Sequence, residues 1–170
     1  KALGNGYAIN AIIGNKETMI KAQESFISST FWTERVGPSA ALKTLEVMQR
    51  EKSWKKISEI GRNIKSKWNE LAQLHKIGIT ISGLDALPSF SFESKNNLAY
   101  KTLITQEMLK KGYLASNIIY VSTVHTSGVI EKYFDSLNDI FQIINECEEG
   151  LNILEILDSP ICHSGFSRLN

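Results

Sequence analysis

The chain has 170 residues, 42% of them hydrophobic, with 19 Lys and Arg against 18 Asp and Glu. That is enough apolar material for a packed core, and a formal charge of +1 with no long block of one sign leaves no electrostatic footprint for nucleic acid. The longest apolar runs, such as 118–121, fall far short of a membrane span and no signal-peptide pattern is present, so the chain reads as cytoplasmic and without a membrane partner.

The first residues, Lys1-Ala2-Leu3-Gly4-Asn5-Gly6, run from a lysine straight into a glycine turn with no initiator Met, so the sequence reads as part of a longer protein. Ala8, Ile9, Ala11, Ile12 and Ile13 then form a nearly continuous apolar run ending at Gly14, the pattern of a strand buried on both faces. Residues 16–23 suit a short helix, and 25–33, rich in Ser, Thr and aromatics without helical period, a loop. Val36-Gly37-Pro38 opens a helix with proline in its first turn, where a missing N–H costs nothing, and Leu42, Leu45 and Met48 supply its buried stripe. In the next helix Trp54, Ile57, Gly61, Ile64, Trp68, Leu71 and His75 share one face.

The period then changes. Ile79 and Ile81, and Phe90 and Phe92 between serines, predict two short strands separated by Gly83-Leu84-Asp85 and Pro88. Tyr100, Leu103, Ile104 and Met108 mark a helix that Gly112 ends, and residues 118–124 predict another strand. A long helix with Thr126 or Ser127 as N-cap carries Ile130, Tyr133, Phe134, Leu137, Ile140, Phe141, Ile144, Cys147 and Leu151 over about six turns of 3.6 residues. An extended tail, 158–170, closes the chain. Helices on a small mixed or antiparallel sheet make an α/β to α+β fold.

Cys147 and Cys162 lie far apart with no CxxC spacing, which gives neither a zinc site nor a disulfide framework. His75, His125 and His163 come with no nucleophile-elbow motif and read as core or surface histidines. The Gly4-Asn5-Gly6 turn is neither a dinucleotide fingerprint nor a Walker loop. Lys1 has a sharper chemical meaning, because a desolvated lysine amine has a lowered pKa and forms an imine with an aldehyde. A glycine turn beside it lets the backbone pass close to a bulky ligand. On the residues alone, a solvated lysine at a chain end is the better reading.

The segment from Lys1 to Ala8, followed by Gly14, resembles the Schiff-base lysine segment of class III aminotransferases, especially the glutamate-1-semialdehyde aminomutase branch. Ser28-Ser29-Thr30-Phe31, followed by the helix that holds Ala40-Ala41-Leu42-Lys43-Thr44-Leu45, is similar to that family's Thr-aromatic segment and small-residue helix. The tail from Cys162 to Asn170 also resembles a C-terminus of this group. Two features depart from the pattern: Trp32-Thr33-Glu34-Arg35 stands where Gly-Asn-Pro is common, and Ala8 where proline is frequent.

The resemblance implies a specific organisation. Residues 1–50 would be the end of the cofactor-binding large domain of a PLP-dependent transferase, and 51–170 its small C-terminal α+β domain. Lys1 would carry pyridoxal 5'-phosphate, and Thr30, aided by Ser29, would reach the cofactor phosphate of a neighbouring subunit in a homodimer. Trp32 and Arg35 would line the substrate pocket, the guanidinium pairing with a carboxylate; a solvated helix-start arginine is the plainer alternative. The implied activity is amino-group transfer between a small-molecule amine and an aldehyde or ketone such as glutamate-1-semialdehyde, by the whole protein and not by this portion alone. The missing N-terminal part of the same protein would then be its partner. Alternatives are transamination of another substrate, for example a surface-polysaccharide precursor, and a non-catalytic folding or dimerisation module.

Overall fold

The structure, a computed structural model, describes residues 2–27, 30, 31 and 33–165. The chain divides into two compact units, Lys1–Ser53 and Trp54–Asn170.

In the first unit a 3-10 turn at Ala2–Gly4 leads into an irregular segment, then α1 (Lys16–Ala22) and α2 (Val36–Glu51). Asn15 caps α1, its Oδ1 accepting from the Thr18 amide at 2.9 Å, as a side-chain acceptor at that position should. Residues 8–14 do not form the predicted buried strand: Ile12 is 59% and Ile13 89% exposed, and no described residue pairs with the segment. An all-apolar strand is stable only when both faces are covered, and nothing described in this unit covers them. The stripe expected on α2 fails for the same reason. Leu42 and Leu45 are exposed and Met48 is half-buried, while the buried residues of that helix are Gly37 and Ala41.

The second unit holds most of α3 (Ser53–Leu74), then β1 (Ile79–Ser82), β2 (Ser89–Phe92), α4 (Asn97–Lys110) and α5 (Ser127–Glu148). The sheet is antiparallel and two-stranded, with Ile79 opposite Phe92 and Ile81 opposite Phe90. Alternation puts both isoleucines and both phenylalanines on the core face and Thr80 and Ser91 in water. Phe90 packs tilted against Trp68 of α3 at 4.8 Å between centroids, and Phe92 packs edge-on against Tyr100 of α4 at 5.4 Å and tilted against Phe141 of α5 at 5.8 Å. These rings join Leu103, Ile104, Leu137, Ile140 and Ile144 in one continuous core. At Trp68, Nε1 donates to the Tyr133 hydroxyl at 3.3 Å, satisfying the one polar atom of a fully buried indole.

The predicted third strand, 118–124, is a strand only in part. The Ile119 amide donates to Pro88 O and the Val121 amide to Ala86 O, but the sole bridge is Ser89 with Ile118. Pro88 has no N–H to return, so the ladder cannot close on that side. The sheet is therefore antiparallel rather than mixed. The long helix has Thr126 as N-cap and ends at Glu148, which leaves Leu151 outside it and 45% exposed. Among the described residues no helix is long and apolar enough to cross a membrane.

Candidate cofactor site

The site residues read from the sequence fall in the first unit. Lys1, Ser29 and Trp32 lie outside the described residues. The turn that follows Lys1 closes through the Asn5 amide on Ala2 O and the Tyr7 amide on Gly4 O, both at 3.2 Å. Gly6 takes φ 106°, as a glycine turn would, and Asn5 also enters the left-handed region at φ 46°.

This turn packs on α2. The contact needs a bare backbone at Gly37, in the first helical turn: a β-carbon there would stand 2.9 Å from Ala8 O and 3.2 Å from the Ile9 β-carbon. In the sequence Gly37 reads only as part of a helix start. Its only signal is a glycine inside a helical turn, which does not say what packs against it.

Thr30 is exposed, and its hydroxyl makes no hydrogen bond with another described residue. The Glu34 amide donates to Phe31 O at 3.3 Å, and Arg35 is the N-cap residue of α2, exposed and without a side-chain cap bond. No ion pair joins the Arg35 guanidinium to a described residue. Between the post-lysine segment and this loop lies a hollow of about 600 Å³, lined by Ala8, Ile9, Ile12, Phe31, Glu34 and Gly37 among others. The structure thus brings together the segment after Lys1, the neighbours of Thr30 and Arg35, and the start of α2.

The remaining candidates take structural roles. His75 Nε2 lies 2.9 Å from Asn138 Oδ1, and His125 Nδ1 accepts from the Ser122 amide at 3.3 Å. The second contact leaves the proton of a neutral His125 ring on Nε2. His163 is exposed. Both cysteines are free, burial pushing the Cys147 thiol above its ordinary range, and no metal-binding cluster occurs among the described residues. A second hollow of about 310 Å³, with Ile64, Tyr113, His125 and Tyr133 on its wall, lies in the second unit and contains none of the site residues read from the sequence.

The fold matches a solved structure of the PLP internal aldimine form of the Sphingopyxis sp. MTA144 FumI protein. The TM-score is 0.74 at 19% identity, over 91% of this chain and 38% of that one. The Aminotransferase class-III profile matches residues 1–145, and the chain belongs to that family, whose cofactor is pyridoxal phosphate. The chain is 31% identical over 152 residues to the 3-aminobutyryl-CoA aminotransferase of Cloacimonas acidaminovorans (strain Evry), covering 89% of this chain and 36% of the relative. It is 21% identical to the 2'-deamino-2'-hydroxyneamine transaminase of Streptomyces kanamyceticus, over 82% of this chain and 37% of that protein. With the glutamate-1-semialdehyde 2,1-aminomutase of Hyperthermus butylicus the identity is 22%, over 84% of this chain and 37% of the relative. The chain therefore spans just over a third of the length of these relatives.

Proposed function

We propose that the whole protein is a pyridoxal-phosphate-dependent aminotransferase in which Lys1 holds the cofactor and residues 1–50 complete the cofactor-binding domain. The carrying observation is the packing of the turn after Lys1 against the first turn of α2 at Gly37, inside the residues matched by the family. On this reading the contact fixes where the segment after Lys1 meets α2, as a positioned nucleophile requires in the whole protein.

The described donors suit the cofactor. Thr30 offers a phosphate oxygen an exposed hydroxyl that bonds no other described residue, with Ser29 beside it in sequence, and Arg35, which pairs with no described residue, offers a planar cation to a substrate carboxylate. On this reading Thr30 serves the phosphate of a neighbouring subunit in a homodimer, and Trp32 lines the substrate pocket. Bound pyridoxal phosphate supplies an electron sink for the carbon that carries the amino group. Lys1 would hold the cofactor, and its amine would accept and return the proton of that carbon.

For the reaction, transfer between two molecules is preferred over an intramolecular 2,1 shift. The relative at 31% identity is named as an aminotransferase, whereas the aminomutase stands at 22%. The substrate is a small amine paired with a small aldehyde or ketone. The test uses the full-length protein loaded with cofactor. Borohydride reduction and peptide mapping should place the cofactor on Lys1, and ¹⁵N from a donor amine should appear in a separate acceptor. Cofactor fixed to a different lysine would overturn the Lys1 assignment; turnover of glutamate-1-semialdehyde with no second substrate would replace transamination by the mutase reaction.

A further inference from the structure

Beyond α5 the chain turns back at Asn152 and runs along α4 in the opposite direction. Ile153 is buried and Ile156 and Leu157 are half-buried, so the return begins on apolar contacts. From residue 158 onward the character changes, because the described side chains from 158 to 165 are exposed or half-buried and Ile161 is 40% exposed. What holds this stretch is polar and comes from one row of α4, at Leu98, Thr102, Gln106 and Lys110, each four residues from the next.

Gln106 grips the backbone at two points. Its Nε2 donates to Ile156 O at 3.1 Å and its Oε1 accepts from the Asp158 amide at 2.7 Å, so the side-chain amide imitates a strand neighbour and reads no side chain. Lys110 pairs with the Asp158 carboxylate at 2.9 Å and with Glu107 at 2.8 Å. A turn further toward the start of α4, the Thr102 hydroxyl donates to Leu98 O at 2.8 Å and accepts from the Cys162 amide at 2.9 Å. The Cys162 thiol itself donates to Leu98 O at 3.5 Å.

We propose that residues 158–165 form a detachable strap on α4, latched by Gln106 and Thr102, which opens as one unit without unfolding the core and uncovers Cys162 when it does. The division between apolar anchor and polar latch sets the hinge at Leu157–Asp158. Hydrogen bonds near the surface are individually weak in net terms, and segments with few buried apolar contacts are those that open locally. The strap meets both conditions while still being held in one place. Cys147, on the core side of α5, stays closed through the same event.

The test reads thiol labelling in the full-length protein by maleimide and peptide mass spectrometry, with Gln106→Ala and Thr102→Val as variants. No hydrogen bond joins Gln106 to Cys162, so a strap that opens as one unit predicts about tenfold faster labelling of Cys162 in Gln106→Ala, on the loss of two net-weak bonds. Thr102→Val, which removes the acceptor of the Cys162 amide, should give a similar increase. In both variants Cys147 should keep its slow rate and the thermal midpoint should move little. Unchanged Cys162 labelling in Gln106→Ala, with an increase only in Thr102→Val, would show that the cysteine is held locally and that no strap exists. A parallel rise at Cys147 would show general loosening and would equally overturn the proposal.

Discussion

Gly61 of α3 lies directly under the main chain of Asp85, so close that a β-carbon on Gly61 would overlap the Asp85 carbonyl group. The β1–β2 connection is pressed onto the helix there. Lys65 fastens it from one side, its Nζ donating to Gly83 O at 2.8 Å and to the Asp85 carboxylate at 2.9 Å, while Arg62 reaches the same carboxylate at 3.2 Å. These cations hold the Asp85 carboxyl below its ordinary range. Gly61→Ala gains about 1 kcal/mol of helix propensity but forces backbone away from backbone, an overpacking cost at the upper end of the usual range, about 3 kcal/mol. The expected outcome is a net loss of about 2 kcal/mol, read as a lower urea midpoint with an unchanged slope.

A second prediction concerns acid stability. The Glu148 carboxylate accepts from the Tyr100 hydroxyl at 2.6 Å and from Ser94 at 2.7 Å, and these two bonds lower its pKa from the usual 4.5. A carboxylate depressed by folding stabilises the protein above its unfolded pKa, and that stability is lost as pH falls through the folded value. Tyr100→Phe should therefore cost about 1 kcal/mol at neutral pH, discounted for the exposure of Glu148. The gap from the parent protein should narrow below pH 4.5, in denaturation curves taken across that range. On the alkaline side, burial and the Glu148 contact push Tyr100 up to about 12. Its contribution is complete below the unfolded value near 10 and should disappear as pH rises through 12.

Thr30→Val tests the phosphate assignment in the full-length protein. Removing one hydrogen bond to a charged group costs about 1.5–3 kcal/mol, so cofactor affinity should fall roughly 10- to 100-fold while the fold persists. Equal affinity of parent and variant, measured by equilibrium dialysis of pyridoxal phosphate, would remove Thr30 from the site.

Hydrogen exchange in the 170-residue chain alone should separate its two units. Amides from Leu137 to Ile144 lie in a helix whose buried face is closed by the core and should be strongly protected. From residue 8 to 14 no amide donates to a main-chain carbonyl among the described residues, and those amides should exchange at rates close to a free peptide. Uniform protection in one cooperative transition would contradict this.

What the sequence revealed follows from where packing partners lie. Helices α3, α4 and α5 and the phenylalanine strand were readable because each carries its apolar period against partners inside the same unit, as Trp68 against Phe90 illustrates. Leu42, Leu45, Ile12 and Ile13 carry an equally clear apolar pattern, yet they stay exposed. Pattern reports what a face is suited to bury, not whether a partner is present. The strand expected at 118–124 was lost to Pro88, a residue of the neighbouring segment that local pattern does not weigh. In the candidate site, Thr30 and Arg35 came from a family resemblance. The close approach at Gly37 is a property of two backbones meeting, and only coordinates display it.

The hydrogen bond between Trp68 and Tyr133 has an optical consequence. Of the three tryptophans in the chain, Trp54 is 42% exposed and Trp68 has no exposed surface. A fully enclosed indole emits at shorter wavelength than a wet one and is shielded from a dissolved quencher such as acrylamide. Trp68 is thus a built-in fluorophore for the core of the second unit, so a red shift of its emission in a background with both Trp32→Phe and Trp54→Phe reports the opening of that core.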